Sequence, residues 1–432
     1  MHNFRLDGFL AAGLALLLSV CAFGQNVTPD AHVYTALYQF APPPDGSGPD
    51  SGVFMDSQGN LYGTTRGGGT GPANNGTVYQ LTPPATPGNP WTETVIYSFQ
   101  GGADGGSPES PVIQVGTSQD LYGTTYAGGG SYGTGTVYQL AAPAVAGGAW
   151  SYELLYAFGQ FPGDAYSPPN KALVSDGANL YGTTAGGGLC NQGTVYELSP
   201  PSVPGGAWAE SILHSFCGGP LDGSAPSTAL IRDRHGNLYG TTILAGANGL
   251  GTVFKLSPPA APGGNWSIAI LHSFGSSGDG SEPAGPVVFD KKGALYGTTV
   301  AGGTYLYGTV FQLKPPATPG SPWTEMVLYS FKAARDGGQL ADGVIVNGKG
   351  VLFGTTPNGG SHPTGNGAGV VFGLIPPTTG SGPWKEAVLH TFTGPDGYKP
   401  ICKLVMRKGI LYGTTNGGGT GGAGGVVFSL KP

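Results

Sequence analysis

Charged residues are scarce in this sequence. They make up 10% of its 432 residues, against about 25% in a typical globular chain. Disordered chains combine high charge with few aromatic residues, whereas 10% of this chain is aromatic. The net charge of -6 is spread along the chain without any basic run. The composition therefore indicates an ordered protein, and it gives no sign of a nucleic-acid or anionic-membrane partner.

Catalytic and metal-binding motifs are equally absent from the sequence. It has no HExxH segment and no cysteine–histidine spacing typical of zinc sites. Its GGG runs lack the GxxxxGKS/T pattern of a phosphate-binding loop. We therefore predict no catalytic residue, no metal site and no cofactor. A carboxylate pair for glycoside cleavage stays open, because its two members can be far apart in sequence.

Long apolar runs are confined to the N-terminus. The run from Phe9 to Phe23 follows Arg5, and Ala22-Phe23-Gly24 supplies small residues at the usual cleavage spacing. The run is short for a bilayer-spanning helix. We predict that residues 1–24 are a signal peptide and that the mature protein, which begins at Gln25, is secreted to the extracellular space. The periplasm is the alternative, and no membrane span is expected after cleavage.

Glycine and proline, in contrast, are abundant, with 82 and 38 residues. Without a period such a composition would indicate low complexity, but this chain has a clear period. The string LYGTT, once as LFGTT, recurs at spacings of 60, 59, 58, 57, 57 and 59 residues. The seven copies begin at Leu61, Leu121, Leu180, Leu238, Leu295, Leu352 and Leu411.

Each copy contains four strand-like runs bounded by turn residues. They are a short apolar run such as Pro111-Val112-Ile113, then LYGTT, then GTVYQL (76–81), then WTETVIYSF (91–99). The runs are rich in β-branched and aromatic residues, and every connection is local. Four antiparallel strands in each of seven repeats are the pattern of a β-propeller. A solenoid would explain the repeats as well, but not the two chain ends.

The two ends together complete the seventh repeat unit. The segment from Val33 to Phe40 resembles a fourth run without preceding partners, and the chain ends with a third run, Gly425 to Leu430. Pairing the two removes a free sheet edge. The six tryptophans begin the six internal fourth runs. The sequence thus predicts one all-β domain over residues 25–432, a seven-bladed β-propeller whose last blade is closed by the N-terminal strand.

The repeat also resembles a known family. Segments such as GNLYGTT (59–65 and 236–242), the first followed by GGG and GTVYQL, resemble the GloVer tandem-repeat family, the Gloeo/Verruco repeat of bacterial choice-of-anchor proteins. The resemblance covers all seven copies. It implies a secreted bacterial protein, often with a C-terminal sorting signal, and it implies no activity. Because the sequence ends at Lys431-Pro432 directly after a strand, we expect release rather than anchoring.

The mature chain has three cysteines, an odd number for a secreted protein. Cys190 lies in the third repeat's glycine-rich loop, and Cys217 follows the same repeat's fourth run, at the same end of the blade. We predict a disulfide between them. Cys402 falls in an innermost strand and is predicted to be a buried free thiol.

One aspartate recurs in the turn between blades. A ring of seven carboxylates would suit a cation such as calcium, but an aspartate can equally bond to its own turn. We favour the turn, because a residue present in every blade serves the blade, and we interpret the Thr-Thr pairs and the equivalent His214, His272 and His390 in the same way. The seven are Asp45, Asp104, Asp164, Asp222, Asp279, Asp336 and Asp396.

Residues that interrupt the repeat are better candidates for binding. Exposed tyrosines can stack on sugar rings and hydrogen-bond through their hydroxyls, although ordinary loop packing is the alternative. The candidates on the glycine-rich loops are Arg66, Tyr126, Tyr132, Asn191, Tyr305, Tyr307 and His362, and the neighbouring turns add Tyr166, Arg335 and Tyr398.

The sequence leaves three functions open. A near-uniform repeat without catalytic motifs favours a non-enzymatic, monomeric binding protein for extracellular polysaccharide or a surface protein. The second is a secreted carbohydrate-active enzyme, a hydrolase or lyase, with carboxylates or a Tyr–His–Arg cluster near the channel mouth. The third is a structural cell-surface protein. One propeller scaffold hosts many functions, so the fold does not choose among them.

Overall fold

The computed structural model describes residues 32–432 except 131–132, 146, 162, 168–171, 204, 227, 262, 319, 334, 341, 361–366, 379–381 and 421–423. The predicted signal peptide lies outside the described residues. Regular structure within the described part of the chain is entirely β. None of it is a helix long and apolar enough to cross a membrane.

Seven antiparallel four-stranded sheets form the blades of a β-propeller, as the repeat predicts. The strands are, for blade 1, Phe54–Met55, Leu61–Thr65, Thr77–Thr82 and Thr92–Ser98; blade 2, Ile113–Gln114, Leu121–Thr125, Thr136–Ala141 and Ser151–Ala157; blade 3, Val174–Ser175, Leu180–Thr184, Thr194–Ser199 and Ala209–Ser215; blade 4, Ile231–Arg232, Leu238–Thr242, Thr252–Ser257 and Ser267–Ser273; blade 5, Val288–Phe289, Leu295–Thr298, Thr309–Lys314 and Thr324–Ser330; blade 6, Ile345–Val346, Leu352–Thr356, Val370–Ile375 and Lys385–Thr391; and blade 7, Val405–Arg407, Ile410–Thr415, Val426–Lys431 and Val33–Gln39.

Blade 7 confirms the predicted closure. Its fourth strand is the N-terminal segment Val33–Gln39, which pairs antiparallel with Val426–Lys431. Val33 lies opposite Lys431 and Gln39 lies opposite Val426. A bulge interrupts this pairing after Ala36, as a bulge does between the third and fourth strands of every other blade. The closing strand therefore reproduces the geometry of a covalently continuous blade.

Aromatic side chains fill the space between blades. Phe99 of blade 1 packs edge-on against Tyr138 of blade 2, with ring centroids 5.2 Å apart. Glycine at the centre of LYGTT makes room for such rings: a Cβ on Gly63 would lie 2.3 Å from the Tyr79 hydroxyl oxygen. Any larger residue there would displace a fully buried ring, which explains the small residue inside a buried strand.

The first threonine of LYGTT joins neighbouring blades. Thr64 donates its hydroxyl to the carbonyl of Ser110 in blade 2 at 2.9 Å. Equivalent bonds run from Thr183 to Thr228 and from Thr298 to Asp342. The ring closes where Thr414 of blade 7 donates to the carbonyl of Ser51 in blade 1 at 2.6 Å. Among the described residues, these bonds tie the start of an innermost segment to the blade before it.

The same contacts explain why the first strands are shorter than the sequence predicts. In blade 2 the predicted run begins at Pro111, but the strand begins at Ile113. Upstream of it, the Thr124 amide bonds to the Ser110 hydroxyl at 3.3 Å rather than to a backbone carbonyl. The Ser110 carbonyl faces the neighbouring blade instead. Backbone groups are thus satisfied across the blade interface and not within a longer ladder.

We predict that Thr414→Val destabilises the propeller while Thr414→Ser does not. Valine keeps the volume but leaves the Ser51 carbonyl without its donor, at a cost of about 1–3 kcal/mol in the free energy of unfolding. Urea unfolding of the wild type and both variants measures this. Equal stability of Thr414→Val and Thr414→Ser would show that the inter-blade bond contributes nothing.

Candidate functional site

Two kinds of connection meet at one end of the blades. The loops between second and third strands lie beside the turns between blades, and we call this end the loop face. In blade 3, for example, Ala165–Tyr166 of the turn pairs with Gly186–Gly187 of the loop. The first–second hairpins and third–fourth loops lie at the other end, which we call the hairpin face. Because the backbones of loop and turn are paired, the backbone positions that carry the side chains of the loop face are fixed.

The seven recurrent aspartates hold the turns of the loop face. Asp222, for example, accepts hydrogen bonds from the Cys217 amide at 2.9 Å and contacts the His214 ring at 3.1 Å. The same pair of contacts, a backbone amide and a fourth-strand ring, occurs in all seven blades. No group of three or more potential metal ligands occurs among the described residues. The aspartates therefore act as turn caps, and the three equivalent histidines are their partners.

A cavity of about 520 Å³ opens on the loop face between blades 2 and 3. Binding sites for small ligands and sugars commonly have this size. Gln160 and Phe161 line it from the turn, and Tyr166 and Asn191 line it from blade 3. Phe161 is 64% exposed, although it is a large apolar side chain. The cavity thus combines aromatic surfaces with amide groups.

Asn191 is a polar group of this cavity whose side chain has two hydrogen-bond partners. Tyr166 donates its hydroxyl to Asn191 Oδ1, which also accepts from the Gly187 amide at 3.3 Å. The neighbouring residue, Cys190, forms a disulfide with Cys217, with Cα atoms 5.0 Å apart. The disulfide joins the glycine-rich loop of blade 3 to the turn after that blade. Asn191 is therefore held from both sides, while Cys402 is a buried free cysteine far along the chain.

One carboxyl group, that of Asp164, lies in the wall of the cavity, and Tyr156 links it to a second carboxyl group outside the lining, that of Glu210. Tyr156 places its hydroxyl 3.1 Å from Asp164 and 3.2 Å from Glu210 of the next blade. Burial, together with the nearby Asp164, raises the pKa of Glu210 to about 8. Neutral Glu210 can donate to the tyrosine while the tyrosine donates to Asp164. Burial, and second a nearby turn aspartate, likewise raise the pKa of Glu93, Glu325 and Glu386 to about 7.

The remaining sequence candidates are distributed over other loops. Tyr305 and Tyr307 are exposed on blade 5, where the Lys332 ammonium lies 5.2 Å from the Tyr305 ring centre. Tyr126 is exposed on blade 2. The contacts among described residues join none of these three to Asn191. Tyr132 and His362, also predicted from the sequence, lie outside the described residues.

Arg66 belongs to a polar network at the inner end of the loop face. Its Nε lies 3.2 Å from Oε1 of Glu109, a buried carboxylate of blade 2. Asn416 of blade 7 donates to Asp50, whose pKa is raised by burial and lowered by the Asn416 bond and the Arg66 charge. The network spans blades 7, 1 and 2 beside the innermost segments. It places one cation between two carboxylates.

The sequence did not lead us to predict Phe161 in the cavity, or Asp50 and Glu109 in the Arg66 network. Phe161 is the only aromatic residue between a fourth-strand Phe and the turn aspartate, and this break in the repeat could have identified it. Asp50 and Glu109 follow a proline at a position where the other blades have no carboxylate. These two carboxylates could therefore have been identified from the sequence as well. Their positions on either side of Arg66 could not have been predicted, because they depend on the contact between blades 1 and 2.

The repeated sequence identifies the family to which the chain belongs. The profile of the Gloeobacter/Verrucomicrobia repeat family matches residues 25–230 and again residues 146–366. The chain belongs to this family. A comparison of this repeat protein with curated proteins found no match.

Solved structures resemble the repeat protein in fold. A proposed 6-phosphogluconolactonase from Bacteroides uniformis is 12% identical, with a TM-score of 0.51 over 85% of this chain and 89% of the other. A sialidase from Trypanosoma rangeli has 11% identity and a TM-score of 0.38, over 93% and 59% of the two chains. An endo-arabinase from Bacteroides thetaiotaomicron has 13% identity and a TM-score of 0.33, over 67% and 96%. The first likeness supports the propeller fold alone.

Glu210 makes stability of the repeat protein depend on pH. Its folded pKa of about 8 lies above the ordinary 4.5. The folded state therefore binds this proton more tightly than the unfolded state does. The stabilising effect of protonated Glu210 is complete below about pH 4.5 and is lost as the pH rises through about 8. We predict that Glu210→Gln raises the melting temperature relative to the wild type at alkaline pH and leaves it nearly unchanged in acid.

The measurement is thermal unfolding of both proteins between about pH 5 and about pH 9. Glu153→Gln, at an exposed position of the neighbouring blade's fourth strand, is the control and should keep the wild-type profile. Parallel pH profiles for wild type and Glu210→Gln would contradict the prediction.

Proposed function

We propose that the protein is a secreted, non-enzymatic propeller that binds extracellular polysaccharide in the loop-face cavity between blades 2 and 3. The observation that carries the proposal is the composition of that cavity. Phe161 and Tyr166 offer apolar ring faces, and Gln160 and Asn191 offer amides. Sugar rings present apolar C–H faces and a rim of hydroxyls, so this combination suits them.

The fixed geometry of the cavity supports binding. Asn191 is held by the Gly187 amide and by its neighbour's disulfide, and the backbone N–H of Gln160 donates to the Asp164 carboxylate at 2.6 Å. A preorganised site loses less conformational entropy when a ligand binds. The disulfide also supports secretion, because disulfides form and persist in oxidising compartments.

The test uses the purified protein against a panel of soluble and insoluble polysaccharides, with bound protein and new reducing ends measured in the same tubes. We expect retention without product. Phe161→Ala and Tyr166→Ala should each weaken binding roughly fivefold to tenfold, since each removes one stacking surface. Tyr305→Ala removes an exposed tyrosine of the same face outside the cavity and should bind like the wild type.

Two results would overturn the proposal. Equal effects of all three substitutions would place binding outside the cavity. Failure of every polysaccharide to bind would favour a protein partner or a structural role.

The second candidate function is cleavage of a polysaccharide, by a hydrolase or a lyase reaction, at the inner polar network. Asp50, with its raised pKa, and buried Glu109 lie on either side of Arg66. Perturbed carboxyl groups in a polar cluster are common in active sites. Release of sugar ends by the wild type, and its loss in Glu109→Gln, would establish this function instead of simple binding.

A further inference from the structure

The hairpin face carries grooves between neighbouring blades. One lies between blades 1 and 2 with a volume of about 710 Å³, and an equivalent groove lies between blades 5 and 6 with about 630 Å³. Each is lined by a hairpin aspartate, the LYGTT tyrosine of the same blade and the tryptophan of the next blade. These residues are Asp56, Tyr62 and Trp150 in the first groove, and Asp290, Tyr296 and Trp384 in the second.

The aromatic floor is the same in both grooves. The rings of Tyr62 and Trp150 are 6.2 Å apart and inclined at 68°, and those of Tyr296 and Trp384 are 6.4 Å apart at 62°. Trp384 is partly buried against the hydrophobic core cluster between blades 5 and 6. Its position is therefore fixed by the fold, and the groove offers a preorganised apolar surface.

The walls of the two grooves differ in charge. The groove between blades 5 and 6 is lined by Lys291, Lys292 and Lys349. The groove between blades 1 and 2 has no lysine in its lining; Gln58 occupies the position of Lys292, and Gln119 is a further uncharged polar residue of the wall. One aromatic geometry thus occurs within a single chain both with three lysines in the groove wall and without any lysine in the wall.

Asp290 is the carboxylate that lines the groove beside the three lysines. All three are exposed, and none belongs to an ion pair among the described residues. Asp290, the carboxylate in the groove, is committed to its own turn: it accepts from the backbone amides of Lys292 at 2.8 Å and Ala294 at 2.9 Å, and from the Tyr296 hydroxyl at 3.2 Å. In a chain with a net charge of -6, this groove is a local cationic site.

We propose that the groove between blades 5 and 6 binds an anionic polysaccharide whose sugar units carry carboxylates. A sugar ring would pack on Trp384, and its carboxylate would lie among the three ammonium groups. Nucleic acid fits less well, because its charge density of one charge per about 1.7 Å would meet the net negative charge of the whole chain. The site is independent of the loop-face cavity, since it lies at the opposite end of the blades.

The experiment compares binding of oligogalacturonate with binding of the same oligomer after methyl esterification, which removes the negative charge and adds one methyl group to each carboxyl. We expect the protein to bind the charged form, more weakly as salt is added, and to bind the ester poorly. The variant Lys291→Ser with Lys292→Gln copies the protein's own blade 1 turn, Ser57-Gln58. It should weaken binding of the charged form about tenfold, since two exposed ion pairs are lost.

Matched controls separate this site from general charge and from the loop face. Lys332→Gln with Lys399→Gln removes the same charge from turns of the loop face and should bind like the wild type. Tyr305→Ala, at an exposed loop-face position outside the loop-face cavity, should also leave galacturonate binding unchanged. Circular dichroism and thermal unfolding would verify that every variant is folded.

Three outcomes would overturn the inference. The first is absence of galacturonate binding at low salt. The second is equal binding of the methyl ester, or an equal loss in the two double-lysine variants, since either would exclude a local carboxylate site. The third is displacement of galacturonate by DNA at a concentration of phosphate groups below the concentration of galacturonate carboxylates. That result would assign the groove to nucleic acid.

Discussion

A threonine hydroxyl that crosses from one blade to the next is the contact on which this propeller depends. Thr64, Thr183 and Thr298 each donate to a carbonyl in the first segment of the following blade, and Thr414 closes the ring to Ser51. All of these groups are buried. A broken bond would therefore leave a polar group without water, which makes each contact more important than its net energy suggests. The second threonine binds within its own blade, as between Thr65 and Thr77 at 2.7 Å.

This arrangement separates the inner ring from the rim. The inner segments are fixed by threonine bonds and by backbone approach so close that a Cβ on Gly52 would lie 2.5 Å from the Lys403 carbonyl oxygen. The loops at both ends do not contribute to that ring. Their side chains can therefore differ from blade to blade, as rigid scaffolds with variable loops allow. The Arg66 network is the exception, because it lies where loop and inner segment meet.

The sequence was sufficient for the fold because every blade repeats the same local pattern. The LYGTT spacing and the split unit at the chain ends predict seven blades and their closure. Contacts between blades were harder to predict. Thr64 was assigned a structural role, but its acceptor, Ser110, lies 46 residues away. The first strands were predicted too long for the same reason, and the pairing of Tyr166 with Asn191 depends on a loop and a turn that only the fold brings together.

The hairpin turns show how one repeat can carry different chemistry without a change in fold. Asp56 accepts from the amides of Gln58 and Asn60, both at 2.9 Å, and Asp290 accepts from Lys292 and Ala294 in the same way. Because the aspartate satisfies the backbone, the two residues after it need no particular side chain. They are Ser57-Gln58 in blade 1, Arg234-His235 in blade 4 and Lys291-Lys292 in blade 5. The pairs of blades 1 and 5 lie at grooves whose aromatic floor the fold has already fixed. Selection at two positions per blade can then change the charge of a groove while the aspartate cap, the tyrosine and the tryptophan keep its shape.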